Sequence, residues 1–329
     1  MSDPPKRTVT VSGLAPEKAL RRMELKVVRR LDGLLHGEHM GLLPGPGSEL
    51  AEARLYQPGE DDVRWMDWNV TARTTVPHVR DLIADRELET WAMLDLSASM
   101  DFGTAAMEKR DLAVASLAAV GFLTARLGDR FGAYVLHHGR TRRFPARSGK
   151  PALFALLQAV LNLPRTPAEA PDPVLADALR GLVRSRPRRG MRVVVSDFLE
   201  GDPTKGAGAD PAHVRAWERP MRQLAVRHQV LAVEIVDPRE LELPDVGLVT
   251  LTDPETGDDR EVYLSADVRE KFAKLAAAQR EATAAALRRC GVPHLVLRTD
   301  RDWVIDIARF VMQQRRVAHR QMRPNAGGV

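Results

Sequence analysis

The sequence has little cysteine: Cys290 is the single one among 329 residues. One thiol excludes an internal disulfide and any zinc site built from several thiolates. Cys290 comes directly before Gly291 at the end of a helical pattern, so we expect it to be a buried packing residue. A chain of this length is long enough to be held together by a hydrophobic core instead.

Long hydrophobic runs are also missing. The longest mostly apolar stretch, residues 112–125, is interrupted by Ser116, Gly121 and Thr124 and is shorter than the roughly 18 residues expected of a membrane span. The first seven residues lead into no apolar segment of the kind found in a secretory signal. These features predict a protein with no membrane span and a cytoplasmic location.

Aromatic residues make up only 5% of the chain, and the net charge is +5, from 49 basic and 44 acidic residues. Basic residues cluster at positions 184–192 and 315–323. Such clusters can bind phosphates, but here they do not alternate with the aromatic residues on which bases stack. We therefore expect both clusters to be solvated surfaces and predict no nucleic-acid partner.

From residue 89 onward, short apolar runs alternate with helical patterns. Strands are predicted at 91–94, 131–136, 141–146, 191–198, 230–236 and 294–297, and helices at 109–127, 151–161, 174–184, 213–228, 266–290 and 303–316. Because parallel neighbours need crossover connections, this alternation predicts an α/β fold with a doubly wound, mostly parallel sheet. An N-terminal helix at 17–35 and a loop or hairpin extension precede it. We therefore divide the chain into residues 1–84, packed on the core, and the α/β domain at 85–329.

Polar side chains follow two of the predicted strands. Asp95, Ser97 and Ser99 come after the first strand, and Asp197 ends the fourth. With the common strand order 3-2-1-4-5-6 these strands are neighbours, and the two aspartates face each other at the edge where ligands bind. Alternate residues of an extended chain point the same way, which would place the side chains of Asp95, Ser97 and Ser99 on one side. Oxygen ligands of this kind suit Mg²⁺ or Mn²⁺. A simpler alternative is that the Asp and Ser side chains cap the following helix.

The segment at residues 54–73 combines a Pro58-Gly59 turn signal, many charges and two tryptophans. In one interpretation Trp65 and Trp68 pack inside a compact, ion-paired cap. In the other they form a partner-binding surface, where tryptophan is enriched.

Two motifs carry a resemblance to known families. Asp95-Leu96-Ser97-Ala98-Ser99-Met100, followed by a strand that ends in Ser196-Asp197-Phe198, resembles a von Willebrand factor A domain with its metal-ion-dependent adhesion site. The upstream pattern is similar to the signature of the bacterial family named domain of unknown function fifty-eight, and it reads Tyr56-x-Pro58-Gly59-x-Asp61-Asp62-x-Arg64-x-x-Asp67-Trp68-x-x-x-Ala72-Arg73.

The resemblance implies a von Willebrand factor A-like fold and Mg²⁺-dependent binding of an acidic side chain of a protein partner. It also implies a working association with a MoxR-type AAA+ ATPase in protein maturation or complex assembly. The metal ligands it implies in this chain are Asp95, Ser97, Ser99 and Asp197.

One position departs from the family pattern. The fold usually supplies a further metal-site threonine in a motif such as Gly-Gly-Thr-x-Leu, and this chain has Pro173 at that place. Asp172 and Thr166 are the alternative oxygen donors nearby.

The expected function is therefore a non-enzymatic, metal-dependent interaction module, with two alternatives. One is a metal-free scaffold that binds through the Trp65 and Trp68 segment. The other is a metal-dependent phosphoesterase with Asp95 as its nucleophile. Such enzymes generally need a second acid two residues later, where this chain has Ser97. His137 and His138, adjacent on a predicted strand, should point to opposite faces and so provide no positioned base.

Overall fold

The computed structural model describes residues 29–30, 53–57, 63, 66–80, 89–105, 107–126, 128–165, 175–185, 190–199, 215–252 and 259–321. The predicted N-terminal helix at 17–35 lies outside these ranges except for Arg29 and Arg30, which are helical. The strands in chain order are β1 (Ala53–Leu55), β2 (His78–Arg80), β3 (Glu89–Asp95), β4 (Arg130–His137), β5 (Arg140–Ser148), β6 (Met191–Ser196), β7 (Gln229–Val236), β8 (Leu248–Thr252), β9 (Asp259–Tyr263) and β10 (His294–Arg298). The helices are α1 (Trp68–Thr74), α2 (Lys109–Arg126), α3 (Lys150–Leu161), α4 (Leu175–Arg184), α5 (Glu218–Arg227), α6 (Ala266–Arg289) and α7 (Trp303–Gln321), with short 3₁₀ turns at Ala98–Met100 and Pro238–Glu240.

A six-stranded sheet in the order β10-β7-β6-β3-β4-β5 forms the centre of the fold. Counted along the chain, this is the predicted order 3-2-1-4-5-6, and β3 and β6 are neighbours as expected. All neighbouring pairs are parallel except β4 and β5, which are antiparallel. The predicted α/β class with a mostly parallel, doubly wound sheet is confirmed.

Side chains on the two faces of the central strands enter two different cores. In β3, Ala92 and Leu94 pack on the face covered by α2, α3 and α7, whereas Trp91 and Met93 pack on the face covered by α4, α5 and part of α6. Successive strand residues point to opposite faces, so a strand that is covered on both sides must be apolar throughout. This is why residues 91–94 form a continuous apolar run.

A tight hairpin joins β4 to β5 and corrects the prediction for the two histidines. His138 and Gly139 lie in the connection, with φ angles of 50° and 64°, the left-handed region that two-residue hairpins use. Because the chain reverses at His138, its ring stacks on that of His137, with 3.9 Å between the ring centroids. The expectation that the two rings point to opposite faces was therefore wrong.

Before the central sheet, the chain forms a second sheet of two strands. β1 and β2 pair antiparallel, and β2 begins at His78. Trp68 begins α1 and is 68% exposed, so it does not pack inside a cap. Trp65 lies outside the described residues. The exposure of Trp68 favours the interpretation as a contact surface.

β8 and β9, which lie between β7 and α6 along the chain, pair antiparallel in a separate two-stranded sheet. Among the helices that the structure describes, none combines the length and the apolar character needed to cross a membrane.

Candidate functional site

The carboxyl ends of β3 and β6 bring the two predicted aspartates together. The register pairs Leu94 with Val195, so Asp95, the last residue of β3, lies beside the end of β6, and Asp197 follows directly. The hydroxyl of Ser196 donates a hydrogen bond to Oδ2 of Asp95 at 2.8 Å. Both aspartates are only 5% exposed. The site thus lies at the edge of the sheet where ligands bind in doubly wound folds.

The two predicted hydroxyls also meet, although not through an extended chain. Oδ1 of Asp95 accepts a hydrogen bond from the backbone N–H of Ser97 at 3.0 Å, and the chain then turns through the 3₁₀ segment Ala98–Met100. This turn places the hydroxyl oxygens of Ser97 and Ser99 3.2 Å apart. Ser97 precedes the turn, but its side chain makes no capping hydrogen bond. The capping alternative is therefore wrong for Ser97.

Burial of two neighbouring carboxylates makes the ionised form of Asp95 unfavourable. Burial, followed by the nearby charge of Asp197, raises the pKa of Asp95 from 3.8 to about 6, although hydrogen bonds from Ser196 and Ser97 act in the opposite direction. A cation beside Asp95 would favour its ionised form. A bound cation would therefore lower the free energy of the ionised site.

Asp197 differs from Asp95 because it already has a cationic partner. Its Oδ2 accepts a hydrogen bond from Nζ of Lys109 at 2.7 Å, and its Oδ1 accepts one from the backbone N–H of Leu199 at 3.0 Å. The next residue, Phe198, has a φ of 56°, which is unusual for a bulky residue and costs energy. Its buried ring packs against Trp217, with the centroids 5.3 Å apart.

A second acidic pair lies beyond the end of β7. Glu240 accepts a hydrogen bond from Nζ of Lys109 at 2.5 Å and another from the backbone N–H of Asp237 at 2.9 Å. Burial opposes a charged lysine, but the carboxylates of Asp197 and Glu240 outweigh it and raise the pKa of Lys109. Burial also raises the pKa of Glu240, against the effect of Lys109. Lys109 thus joins the ends of β6 and β7.

Asp237 links three loops around the site. It accepts hydrogen bonds from the hydroxyl of Thr104 at 2.5 Å, after β3, and from the hydroxyl of Thr299 at 2.8 Å, after β10. Burial acts to raise the pKa of Asp237, but hydrogen bonds from Thr104, from the backbone N–H of Arg239 and from Thr299 together lower it. The ends of β3, β7 and β10 are therefore fixed to one another by an ionised carboxylate.

Sequence reasoning missed Ser196, Lys109 and the Asp237–Glu240 pair. Ser196 was detectable from strand register once β3 and β6 were taken as neighbours. Asp237-Pro238-Arg239-Glu240 was also detectable, because Asp followed by Pro and then by Glu three residues later is a capping-box signature. Lys109 gave no such signal, since a lysine at the start of a helix is usually exposed.

The oxygen donors at this site fit a small hard cation. Mg²⁺ typically takes one or two carboxylates and keeps several waters, and the site offers Asp95 with the hydroxyls of Ser97 and Ser99. Within the described ranges no three His, Cys, Asp or Glu side chains gather into a metal cluster, so hydroxyl and water oxygens would have to complete the coordination. Pro173 and the alternative donors Asp172 and Thr166 lie outside the described residues.

Similar proteins are found in mycobacteria. "Uncharacterized protein Rv1480" of Mycobacterium tuberculosis is 53% identical over 300 residues, which cover 91% of this chain and 90% of that protein. "Uncharacterized protein MAV169" of Mycobacterium avium is 47% identical over 176 residues, which cover 54% of this chain and 96% of that protein.

The solved structures that the chain is similar to are much more distant in sequence. The conserved hypothetical protein BatB of Bacteroides thetaiotaomicron is 15% identical, with a TM-score of 0.36, and the match covers 70% of this chain and 99% of that one. The SpRpn10 VWA domain is 12% identical, with a TM-score of 0.36, and the match covers 68% of this chain and 94% of that one.

A family model matches most of the chain, including the Tyr56–Arg73 pattern and both strands that carry the aspartates. The match spans residues 52–282, and the family is described as "Protein of unknown function DUF58". The chain therefore belongs to the DUF58 family, as the Tyr56–Arg73 pattern indicated.

Proposed function

We propose that this protein is a non-enzymatic, cytoplasmic interaction module that binds an acidic side chain of a partner protein through Mg²⁺ or Mn²⁺. Asp95, Ser97 and Ser99 would hold the ion, with Asp197 beside them. The bound ion would supply a positive charge with an open position for a partner's carboxylate. The partner we propose is a MoxR-type AAA+ ATPase acting in protein maturation or complex assembly.

The observation that supports this proposal most directly is the environment of Asp95. Its carboxylate is buried beside a second carboxylate, and among the described residues its two oxygens accept hydrogen bonds from neutral donors, the N–H of Ser97 and the hydroxyl of Ser196. Burying a carboxylate under these conditions costs free energy unless a positive charge joins it. Two adjacent hydroxyls complete a set of oxygen donors of the kind Mg²⁺ accepts.

The proposal is tested by pull-down of the organism's own MoxR-type ATPase with the purified chain in Mg²⁺ or in chelator. We expect capture in Mg²⁺, loss of capture in chelator, and loss with Asp95→Asn, which keeps the size of the side chain and removes its charge. Asp177→Asn is the matched control, because Asp177 is an exposed helical aspartate paired with Arg180. Capture that is equal in chelator and in Asp95→Asn would contradict the proposal.

A second candidate is a metal-free scaffold, which the exposure of Trp68 favours. An indole of this size on the surface is the kind of residue that anchors protein interfaces. Trp68→Ala should then abolish capture of the ATPase, whereas Asp95→Asn should leave it unchanged. The opposite pattern supports the metal-dependent module.

The phosphoesterase alternative is tested with a panel of phosphoesters in Mg²⁺. Asp95 is followed two positions later by Ser97 and not by an acid, and we propose no turnover. Hydrolysis that is present in the wild type and absent in Asp95→Asn would overturn this part of the proposal.

A further inference from the structure

Lys109 is a fully buried cation at the edge of the proposed metal site. It begins α2, its side chain is 0% exposed, and its backbone N–H bonds to the carbonyl oxygen of Phe102 at 2.8 Å. Its ammonium contacts Asp197 at 2.7 Å and Glu240 at 2.5 Å. A buried ammonium is tolerated only with such partners, because it loses its hydration.

Lys109 contacts only one of the two aspartates of the site, Asp197. On Asp197, Oδ2 is used by Lys109 and Oδ1 by the N–H of Leu199. On Asp95, in contrast, the hydrogen-bond donors at both oxygens are uncharged. Within the described part of the chain, the positive charge at this site therefore contacts Asp197 and Glu240 and not Asp95.

We infer that Lys109 is a resident cation that competes with the divalent ion for Asp197 and thereby lowers the affinity of the site for Mg²⁺. The inference rests on the proposed metal site and deepens it. Asp95, Ser97 and Ser99 are the direct ligands in the presence of Lys109. Asp197 joins them only through water or by giving up its contact with the ammonium. Glu240 is the second carboxylate to which the displaced ammonium stays bound.

Two effects of the ammonium would lower the affinity for a divalent cation. The ammonium would repel a cation bound beside Asp197, and it occupies a carboxylate oxygen that the cation would otherwise attract. Removing the ammonium leaves the buried Asp197 and the partly buried Glu240 without a counter-charge, which destabilises the metal-free protein. A divalent cation would then neutralise the carboxylates of Asp197 and Glu240 in place of the lysine.

The experiment is calorimetric titration of Mg²⁺ and Mn²⁺ into the full chain, comparing the wild type with Lys109→Met. Methionine keeps most of the length of the buried side chain and removes its charge. We expect Lys109→Met to bind the ion at least about tenfold more tightly, as the loss of a nearby positive charge requires. Lys274→Met is the matched control, because Lys274 is an exposed helical lysine paired with Glu270 at 2.6 Å, and it should bind like the wild type.

The outcomes separate the inference from the proposed function. Equal or weaker binding to Lys109→Met overturns the inference and leaves the metal-dependent function standing. Binding to Lys109→Met but not to the wild type supports the inference and overturns the metal-dependent function. No binding to either protein overturns both.

A second variant covers the case in which Lys109→Met does not fold. Glu240→Gln leaves the ammonium in place and removes one of its two carboxylate partners, so Lys109 is held by Asp197 alone. Mg²⁺ should then bind at least about threefold more weakly than to the wild type. Unchanged or tighter binding to Glu240→Gln overturns the inference.

Discussion

In the absence of divalent cations, the folded protein should lose stability as the pH rises from about 4 to about 6, because Asp95 must give up its proton in a buried site. Its pKa is raised from 3.8 to about 6, first by burial and then by Asp197. The folded state therefore binds this proton more tightly than the unfolded state does. Between the two pKa values the proton is lost first from the unfolded chain, so the contribution of Asp95 to stability falls as the pH rises.

The size of the effect follows from the shift. A rise in pKa from 3.8 to about 6 corresponds to about 3 kcal/mol, at about 1.4 kcal/mol for each tenfold change in proton affinity. The contribution is fully present below about pH 4, decreases through the interval, and is lost above about pH 6. Other carboxylates titrate in the same range, so this contribution has to be isolated by a difference between two proteins.

Urea unfolding of the wild type and of Asp95→Asn in chelator, at several pH values from 4 to 7.5, provides that difference. Asparagine retains an acceptor for the N–H of Ser97 and has no proton to lose in this range. Relative to Asp95→Asn, the wild type should become less stable by about 2.5 kcal/mol between pH 4 and pH 7, because part of the roughly 3 kcal/mol is already lost at pH 4. A difference that stays constant, or that grows in favour of the wild type as the pH rises, would refute the reasoning.

Three further predictions concern the scaffold. Glu218 is buried, pairs with the partly exposed Arg289 at 2.8 Å and also accepts a hydrogen bond from the backbone N–H of Arg215. Arg289→Met, which leaves this buried carboxylate without its cationic partner, should destabilise the protein in urea unfolding more than Glu218→Gln does, and equal destabilisation would contradict this. Cys290 is buried, and burial raises the pKa of its thiol. A thiol reagent should therefore label Cys290 only when the protein unfolds. Rapid labelling of the folded protein would count against this prediction. A Cβ at Gly190, directly before β6, would lie 2.2 Å from the carbonyl oxygen of Glu89 in β3. Gly190→Ala should therefore lower the midpoint of thermal unfolding by several degrees. An unchanged midpoint would show that β3 and β6 can move apart at this point without cost.

The sheet and the pair of aspartates were predictable because both depend on signals that are local in sequence. The continuous apolar runs ending at Asp95 and Asp197 marked two strands buried on both faces, and the alternation with helices set their parallel direction. The direction of β5 was not predictable in this way. Residues 141–146 show that a strand is present but not how it pairs; the left-handed His138-Gly139 turn shows that it is antiparallel to β4.

The charge balance of the site was not predictable from the sequence. Lys109 and Glu240 are 131 residues apart. Lys109 is the first residue of α2 and Glu240 the last residue of the 3₁₀ turn, and charged residues at such positions are ordinarily solvated. Only the return of β7 beside β6 brings them together around Asp197. The same holds for the close approach of Ser97 and Ser99, which depends on a 3₁₀ turn and not on the extended chain that the spacing suggested.

The left-handed backbone at Phe198 also makes the direction of Asp197 depend on contacts outside the site. A rotation of the chain that turned Asp197 toward a new partner would lift the Phe198 ring from Trp217. Trp217 directly precedes Glu218, which is held by Arg289 near the end of α6. The helices α5 and α6 contribute no proposed ligand, yet they form the fixed support against which Asp197 is oriented.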